Sequence, residues 1–314
     1  MNNASGKKIA ILGATSHIAK GLIYAFSREE RGALFLFARS PEAAAAFMDT
    51  HGSTRRPLIR TFDDFSSGTY DVIINCVGIG EPQKLRENIG TIFRLTETFD
   101  NLILDYLTGH RDTLYINFSS GAAYGTDFSR PTDTDSRSTW NINRLTEEEF
   151  YGIAKLHAEA KHRALKNYNI VDLRIFGYFS RFINLESRYL LTEIISCIRD
   201  RREFITGPDD IVRDYVHPQD LASLVVCCIT KHALNDVFDV YSRTPVTKVQ
   251  LLEYFKVTYN LRYRVNSDFQ SSTATGVKNY YCSSNKKAEK LGYAPEFTSL
   301  ECIAQESIFI LHKV

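Results

Sequence analysis

A tyrosine and a lysine one helical turn apart, Tyr151 and Lys155 in YGIAKLHAE, are the residues of this 314-residue chain best suited to chemistry. Residues i and i+4 share a helix face. An ammonium beside a phenol favours the phenolate, which makes the pair a usable acid/base near neutrality. About one such pair is expected by chance in a chain with 17 tyrosines, so context carries the reading. Upstream, the β-like run TLYINF ends at Ser119 and Ser120, and Tyr124 follows four residues later. A hydroxyl at the carboxyl end of a central parallel strand stands where open α/β sheets bind ligands. A serine that merely caps a loop is the plain alternative. Order, spacing and sheet position favour Ser120, Tyr151 and Lys155 as one catalytic set.

A second constellation lies at the amino terminus. The strand-like KKIAILG runs into Gly13, Ala14, Thr15, Ser16, His17 and Ile18, and then into a helical pattern. A glycine there permits a tight turn, and the free N–H groups of a helix N-terminus suit a pyrophosphate. Only Gly13 is present from a GxxGxxG pattern; Ser16 and Ala19 stand where the other glycines would be. A simple strand–turn–helix joint reads equally well. The next strand, ALFLFA, ends in Arg39 and Ser40 where a carboxylate would grip a ribose 2′-OH. A guanidinium pairs with a 2′-phosphate instead, which predicts NADP(H) in preference to NAD(H), with NAD(H) still possible. Gly13, Thr15, Ser16, His17, Ile18, Arg39, Ser40, Asn75 and Lys155 form the expected cofactor set.

These residues need elements to hold them. KKIAILG, ALFLFA, PLIRTF, YDVIINCVG, TLYINFSS and NIVDLRIFG are β-like, with helix-length stretches between them. That alternation implies βαβ units and a parallel sheet covered on both faces. Residues 85–108 and 147–167 each read as one long helix. Beyond residue 176 the rhythm breaks: SRFINLESRYLLTEIISCIRD and SNKKAEKLGY read as helical, and DLASLVVCCITKH as an apolar helix returning to the sheet. The fold expected is α/β, a Rossmann-type doubly wound parallel sheet with a smaller mixed α/β C-terminal substrate-binding cap. Residues 1–175 would bind the dinucleotide, with 205–235 returning to that domain, and 176–204 and 236–314 would form the cap.

Composition narrows the partners. At 44% hydrophobic and 24% charged residues the chain is ordinary for a globular protein. A formal net charge of +1 offers no global field for nucleic acid or an anionic membrane. Six cysteines form no CxxC pair and no metal-like cluster with the eight histidines, so a reduced chain without metal is expected. MNNASGKK is too polar for a signal peptide, and no apolar run approaches the ~20 residues of a membrane span. A cytoplasmic location follows.

Taken together, the segments resemble the extended short-chain dehydrogenase/reductase family, in its nucleotide-sugar epimerase, dehydratase and reductase branch. ILGATSHIAKGL is similar to its first βα turn, RENIGTIF to its Asn-x-x-Gly-Thr helix, and FSSGAAYG to its Ser-Ser-x-x-x-Tyr-Gly strand end. YGIAKLHAE, IVRDYVHPQDLA and NKKAEKLGYAP resemble three further segments in the same order. The resemblance implies that Tyr151 is the acid/base, that Lys155 touches the nicotinamide ribose, and that Ser120 holds the substrate oxygen. It also implies that Arg213 contacts a nucleotide diphosphate and that Tyr124 joins the substrate site. Two departures bear on the diphosphate. Gly177 stands where the family has Asn, and Ser271–Thr275 supply no basic residue ahead of Gly276; Arg181 and Lys278 are the candidate substitutes.

The family's dehydratases carry Asp-Glu after the catalytic hydroxyl, where this chain has Gly121 and Ala122. Dehydration is therefore disfavoured. The reading is NADPH-dependent reduction of a nucleotide-diphospho-4-keto-6-deoxysugar to a deoxyhexose for surface glycan synthesis. The alternatives are an NAD-dependent nucleotide-sugar 4-epimerase and a non-catalytic NADPH-sensing protein. By the same resemblance the two long helices, carrying Ile92, Phe93, Phe99, Leu102, Ile103 and Leu156, would pair with their copies in a homodimer.

Overall fold

The computed structural model describes residues 6–51, 56–231, 233–268 and 278–311. In chain order the strands are β1 (Lys8–Leu12), β2 (Ala33–Phe37), β3 (Leu58–Arg60), β4 (Val72–Asn75), β5 (Leu114–Ser120), β6 (Ile170–Ile175), β7 (Phe204–Thr206), β8 (Val212–Arg213), β9 (Asn235–Val240), β10 (Val246–Thr247), β11 (Tyr263–Val265) and β12 (Tyr280–Tyr281). The α-helices are α1 (His17–Arg28), α2 (Pro41–His51), α3 (Pro82–Glu87), α4 (Ile92–Gly109), α5 (Glu147–Ala164), α6 (Leu190–Arg199), α7 (Pro218–Ile229), α8 (Lys248–Tyr259) and α9 (Ser299–Leu311).

Seven strands form one sheet in the order β3-β2-β1-β4-β5-β6-β9, and every pairing in it is parallel. The central strands β4 and β5 are buried along their whole length, as a sheet covered on both faces requires. Alternate residues of β1 feed the two layers. Ile9 and Ile11 join a core with Leu22 and Phe26 of α1 and Leu221 and Leu224 of α7. Ala10 and Leu12 face Ile103 and Leu107 of α4. The strand order reverses between β1 and β4, which opens a crevice at their carboxyl ends. The expected Rossmann-type sheet is present.

Gly13 makes the turn out of β1. Its φ is +77°, and a Cβ there would come within 2.9 Å of the Cys76 backbone. The cap contains two small sheets, β10-β8-β12 and β11-β7. Its own core gathers Leu191, Ile194 and Ile195 of α6, Leu251 and Phe255 of α8, and Cys302 and Ile303 of α9.

The structure corrects several expectations. The helix expected over 85–108 is broken into α3, a 3-10 turn at Ile89–Thr91, and α4. Asn88 folds its side-chain amide back onto the Lys84 carbonyl at 2.8 Å, and Gly90 follows; neither favours a helix interior. Helix in the stretch from Ser180 is confined to α6, and Lys287–Leu291 forms a 3-10 turn ended by Gly292 at φ +90°. The return to the sheet is made by α7 and β9: Phe204–Thr206 pairs with β11 in the cap, while Asn235–Val240 pairs with β6.

On the helices expected at a dimer interface, Phe93, Phe99, Leu102 and Leu156 are only half-buried. Ile92 and Ile103 are buried, Phe99 packs on Phe62 with ring centres 4.7 Å apart, and Phe93 faces Phe150. Outward they present Arg94, Thr98, Asn101, Asp105 and His157. The six cysteines are free thiols. Among the described residues no helix is long and apolar enough to cross a membrane.

Candidate active site

The carboxyl end of β5 is the point on which the other elements converge. Ser119 turns inward and donates to Glu159 Oε1 at 2.5 Å. Ser120, the next residue and so on the opposite face, caps the following 3-10 turn by accepting from the Ala122 amide at 3.2 Å. Helix α5 starts at a capping box, in which Thr146 and Glu149 satisfy each other's N-terminal groups. One turn later Gly152 lies against the carbonyl of Ala122; a Cβ there would sit 2.4 Å from that oxygen. Glycine at this position lets α5 close onto the strand end. Lys155 is buried and donates to the Phe118 carbonyl at 2.9 Å, with its ammonium 5.8 Å from the centre of the Tyr151 ring.

A nicotinamide cofactor fits the crevice beside this set. The ammonium of Lys155 lies 3.9 Å from where a Cβ on Gly78, just past β4, would stand, so that glycine keeps the floor open. At the start of α1, Ser16 caps the helix by accepting from the Ala19 amide, and the first turn has no acidic residue to repel phosphate. Thr15 is exposed and Ile18 packs on the core. His17 bonds Ser180 at 2.8 Å and packs edge-on to Tyr178; burial lowers it to about 4, so the ring is neutral at pH 7. Arg39 is exposed at the end of β2, and among the described residues no carboxylate pairs with it. Ser40 is engaged with Glu42 at 3.0 Å and caps α2 through the Ala43 amide. Asn75 is buried; its amide accepts from Val77 and donates to Tyr115, which shapes the turn after β4.

On the cap side, Arg213 and Lys278 come together. Arg213 donates to the carbonyls of Val212 and Lys278, each at 2.8 Å. Lys278 is buried, with its ammonium 4.1 Å from the ring centre of Tyr281 and 5.1 Å from that of Phe128. Burial, and then the Arg213 charge, lower Lys278 to about 7. Among the described residues neither cation has a carboxylate partner. Buried charge without a counter-charge is costly, and an anionic ligand would supply one.

Two other expected substrate contacts are not brought to this place. Arg181 is held by Glu306 at 2.6 Å and stacks on Phe309. The Tyr124 hydroxyl donates to Asp239 at 2.8 Å, inside a buried network that includes Arg174 and Glu159. Gly177 and Gly121 are explained by space. A Cβ on the first would meet the Asp214 carbonyl at 2.5 Å, and one on the second the Phe176 ring at 2.4 Å. The segment Ser271–Gly276 lies outside the described residues.

Residues 9–242 match the sequence profile of the NAD dependent epimerase/dehydratase family. The chain belongs to that family. Its fold is that of the extended short-chain dehydrogenases/reductases, and an NAD(P) nucleotide is the cofactor class of this family of enzymes. The solved UDP-glucose-4-epimerase of Stenotrophomonas maltophila, with bound NAD and formylated UDP-arabinopyranose, superposes with a TM-score of 0.79 at 14% identity, covering 98% of each chain. The UDP-glucuronic acid 4-epimerase of Bacillus cereus, with UDP-glucuronic acid and NAD, gives 0.80 at 16% identity, covering 98% of this chain and 100% of the other. The ADP-L-glycero-D-manno-heptose-6-epimerase of Helicobacter pylori gives 0.77 at 12%, covering 99% and 98%. No curated protein matches the chain by sequence.

Sequence reasoning about this family member missed Tyr281 and Tyr189. Tyr281 reaches Ser120 at 3.0 Å, and Tyr189 bonds the Gly80 carbonyl across the crevice mouth. Both come from the cap. The only signal was the Tyr280–Tyr281 pair just after Lys278.

Proposed function

We propose that the chain reduces the keto group of a nucleotide-diphospho-4-keto-6-deoxysugar at the expense of NADPH. What supports this reading is Ser120 at the end of β5, Lys155 bonded to the neighbouring Phe118 carbonyl with Tyr151 one turn before it, and the cations Arg213 and Lys278, which have no carboxylate partner among the described residues. One group set suits a carbonyl under reduction; the other suits a diphosphate. The nicotinamide supplies the hydride. Ser120 Oγ hydrogen-bonds the sugar oxygen, and Tyr151 Oη delivers a proton to it as the C=O π pair becomes an alkoxide. Lys155, fixed on the Phe118 carbonyl, holds its ammonium 5.8 Å from the Tyr151 ring centre. Gly121 offers no acid or base for a dehydration, and Phe176 occupies the space where one would project.

Arg39 favours NADPH, because it is exposed at the end of β2 and has no carboxylate partner among the described residues, which leaves it free for a 2′-phosphate. The second reading, NAD-dependent 4-epimerisation, is favoured by the names of structures sharing the fold. A homodimer paired through α4 and α5 stays part of the reading, supported by Phe93, Phe99, Leu102 and Leu156, which are only half-buried on those helices. The test is a panel of nucleotide-linked 4-keto-6-deoxyhexoses and hexoses assayed with purified protein. Loss of NADPH absorbance with a keto-sugar supports reduction. Interconversion of hexoses without added cofactor, by protein that carries NAD through purification, supports the epimerase instead. Cofactor binding with no turnover of any sugar points to the sensor.

A further inference from the structure

Tyr281 stands in the site without an expected task. Its ring is held edge-on to Phe128 at 4.9 Å and tilted on Phe176 at 5.2 Å, with the Lys278 ammonium over its face. Its hydroxyl lies 3.0 Å from Ser120 Oγ. A serine hydroxyl has one hydrogen to give and two positions to receive one. The Ala122 amide fills one receiving position. The contact with Tyr281 can run either way, and the surroundings choose. If Ser120 donated, the Tyr281 hydrogen would need another acceptor, and among the described residues no acceptor other than Ser120 Oγ is bonded to that hydroxyl. If Tyr281 donates, both hydroxyls are satisfied and the Ser120 hydrogen stays uncommitted. Burial also pushes the Tyr281 phenol up, so it keeps its proton at neutral pH.

We propose that Tyr281 is a positioning residue: by donating to Ser120 Oγ it fixes that hydroxyl's rotamer and directs its hydrogen to the substrate oxygen. This inference rests on the reading under Proposed function, and it adds a cap residue that acts through Ser120 and not on the substrate itself. Cap placement and serine orientation thereby become one event, because Tyr281 belongs to β12 and Ser120 to the central sheet.

The test is a double-mutant cycle on the full-length protein with Tyr281→Phe, Ser120→Ala and the double variant. Phenylalanine keeps the ring contacts and removes only the donor. With the keto-sugar that the wild type reduces, Tyr281→Phe is expected to lower kcat about tenfold, the loss of one hydrogen bond's worth of orientation. KM and NADPH affinity, read by cofactor fluorescence, should stay near the wild-type values. In the Ser120→Ala background the same change should cost nothing further. An equal loss in both backgrounds would mean that Tyr281 acts on structure or substrate independently of Ser120, and would overturn the inference. So would an unchanged kcat in Tyr281→Phe beside an active wild type. A wild type that binds cofactor but turns over no sugar would defeat the functional reading, and the inference with it.

Discussion

Arg213 donates a 2.8 Å hydrogen bond to the main-chain carbonyl of Lys278, which brings cationic residues from two separate cap segments together. The pair faces Tyr281 and Phe128, and no carboxylate answers either charge among the described residues. Arg213 stays charged at any ordinary pH. Lys278 does not: burial and Arg213 hold it at about 7 in the free protein. The anion grip is therefore doubly charged below pH 7 and singly charged above it.

The affinity for a nucleoside diphosphate should accordingly fall as pH rises through 7. A tenfold weakening corresponds to about 1.4 kcal/mol, which one charge-assisted contact can supply. Calorimetric titrations of UDP-hexose, dTDP-hexose and GDP-hexose, whose esterified diphosphates do not titrate near pH 7, at pH 6 and 8.5 would measure it. Lys278→Met should flatten the dependence at the weaker, high-pH value. A wild-type affinity indifferent to pH would remove Lys278 from the diphosphate site.

Tyr151→Phe removes the proposed proton donor and leaves the ring in place. Turnover should fall by ~10²–10⁴-fold, the range typical of a general acid, while NADPH still binds. Single-turnover kinetics with saturating cofactor separate the two effects. Near-normal turnover in this variant would sink the mechanism.

Cofactor choice depends on one exposed side chain. Arg39→Ala should weaken NADPH binding by roughly ten- to a hundredfold and leave NADH binding unchanged, since only the 2′-phosphate contact is lost. The wild-type preference should shrink in high salt, because an exposed ion pair is screened. Titration of both cofactors against both proteins decides it. Equal wild-type affinities would move the 4-epimerase reading to first place.

A fourth expectation concerns stability. His162 is buried between Asp100 and Asp172, at 2.8 and 2.9 Å, with Lys161 and Arg163 on the outer oxygens. Burial would lower the imidazole, but the two carboxylates outweigh it and raise it from 6.5 to about 9. A group whose pKa is raised by folding stabilises fully below its unfolded value and loses that contribution as pH climbs through the folded one. The stabilisation, up to about 3 kcal/mol, is present below pH 6.5 and gone above pH 9. Thermal melts from pH 6 to 9.5 should show a steeper decline for the wild type than for His162→Gln. Parallel profiles would mean that the imidazole carries no such linkage.

How much of this was readable beforehand differs by element. The runs that became β1 and β4 are apolar nearly throughout, those of β5 and β6 are apolar apart from Asn117, Ser119 and Ser120 in the one and Asp172 and Arg174 in the other, and all are separated by helices, so a parallel sheet buried on both faces follows. The break within residues 85–108 is not legible in the sequence, because the apolar spacing continues through Asn88 and Gly90, where a local side-chain-to-carbonyl bond ends α3. Tyr151 and Lys155 were legible because they act within one turn of one helix, where spacing alone fixes which face they share.

What the cap contributes was not legible in the same way. Arg181 and Lys278 look alike in sequence, as single basic residues near a glycine or an aromatic. Only tertiary packing sends the first to Glu306 and leaves the second unpaired beside Arg213. Tyr281 reaches Ser120 across 161 positions of chain, a pairing that no local period encodes. Local sequence determined the sheet, its turn at Gly13 and the helix that carries Tyr151 and Lys155, since those depend on backbone preference and on burial repeating every two or four residues. Which charges are neutralised and which are left facing the crevice was decided by tertiary structure, because a counter-charge acts through space and can come from any segment the fold brings near.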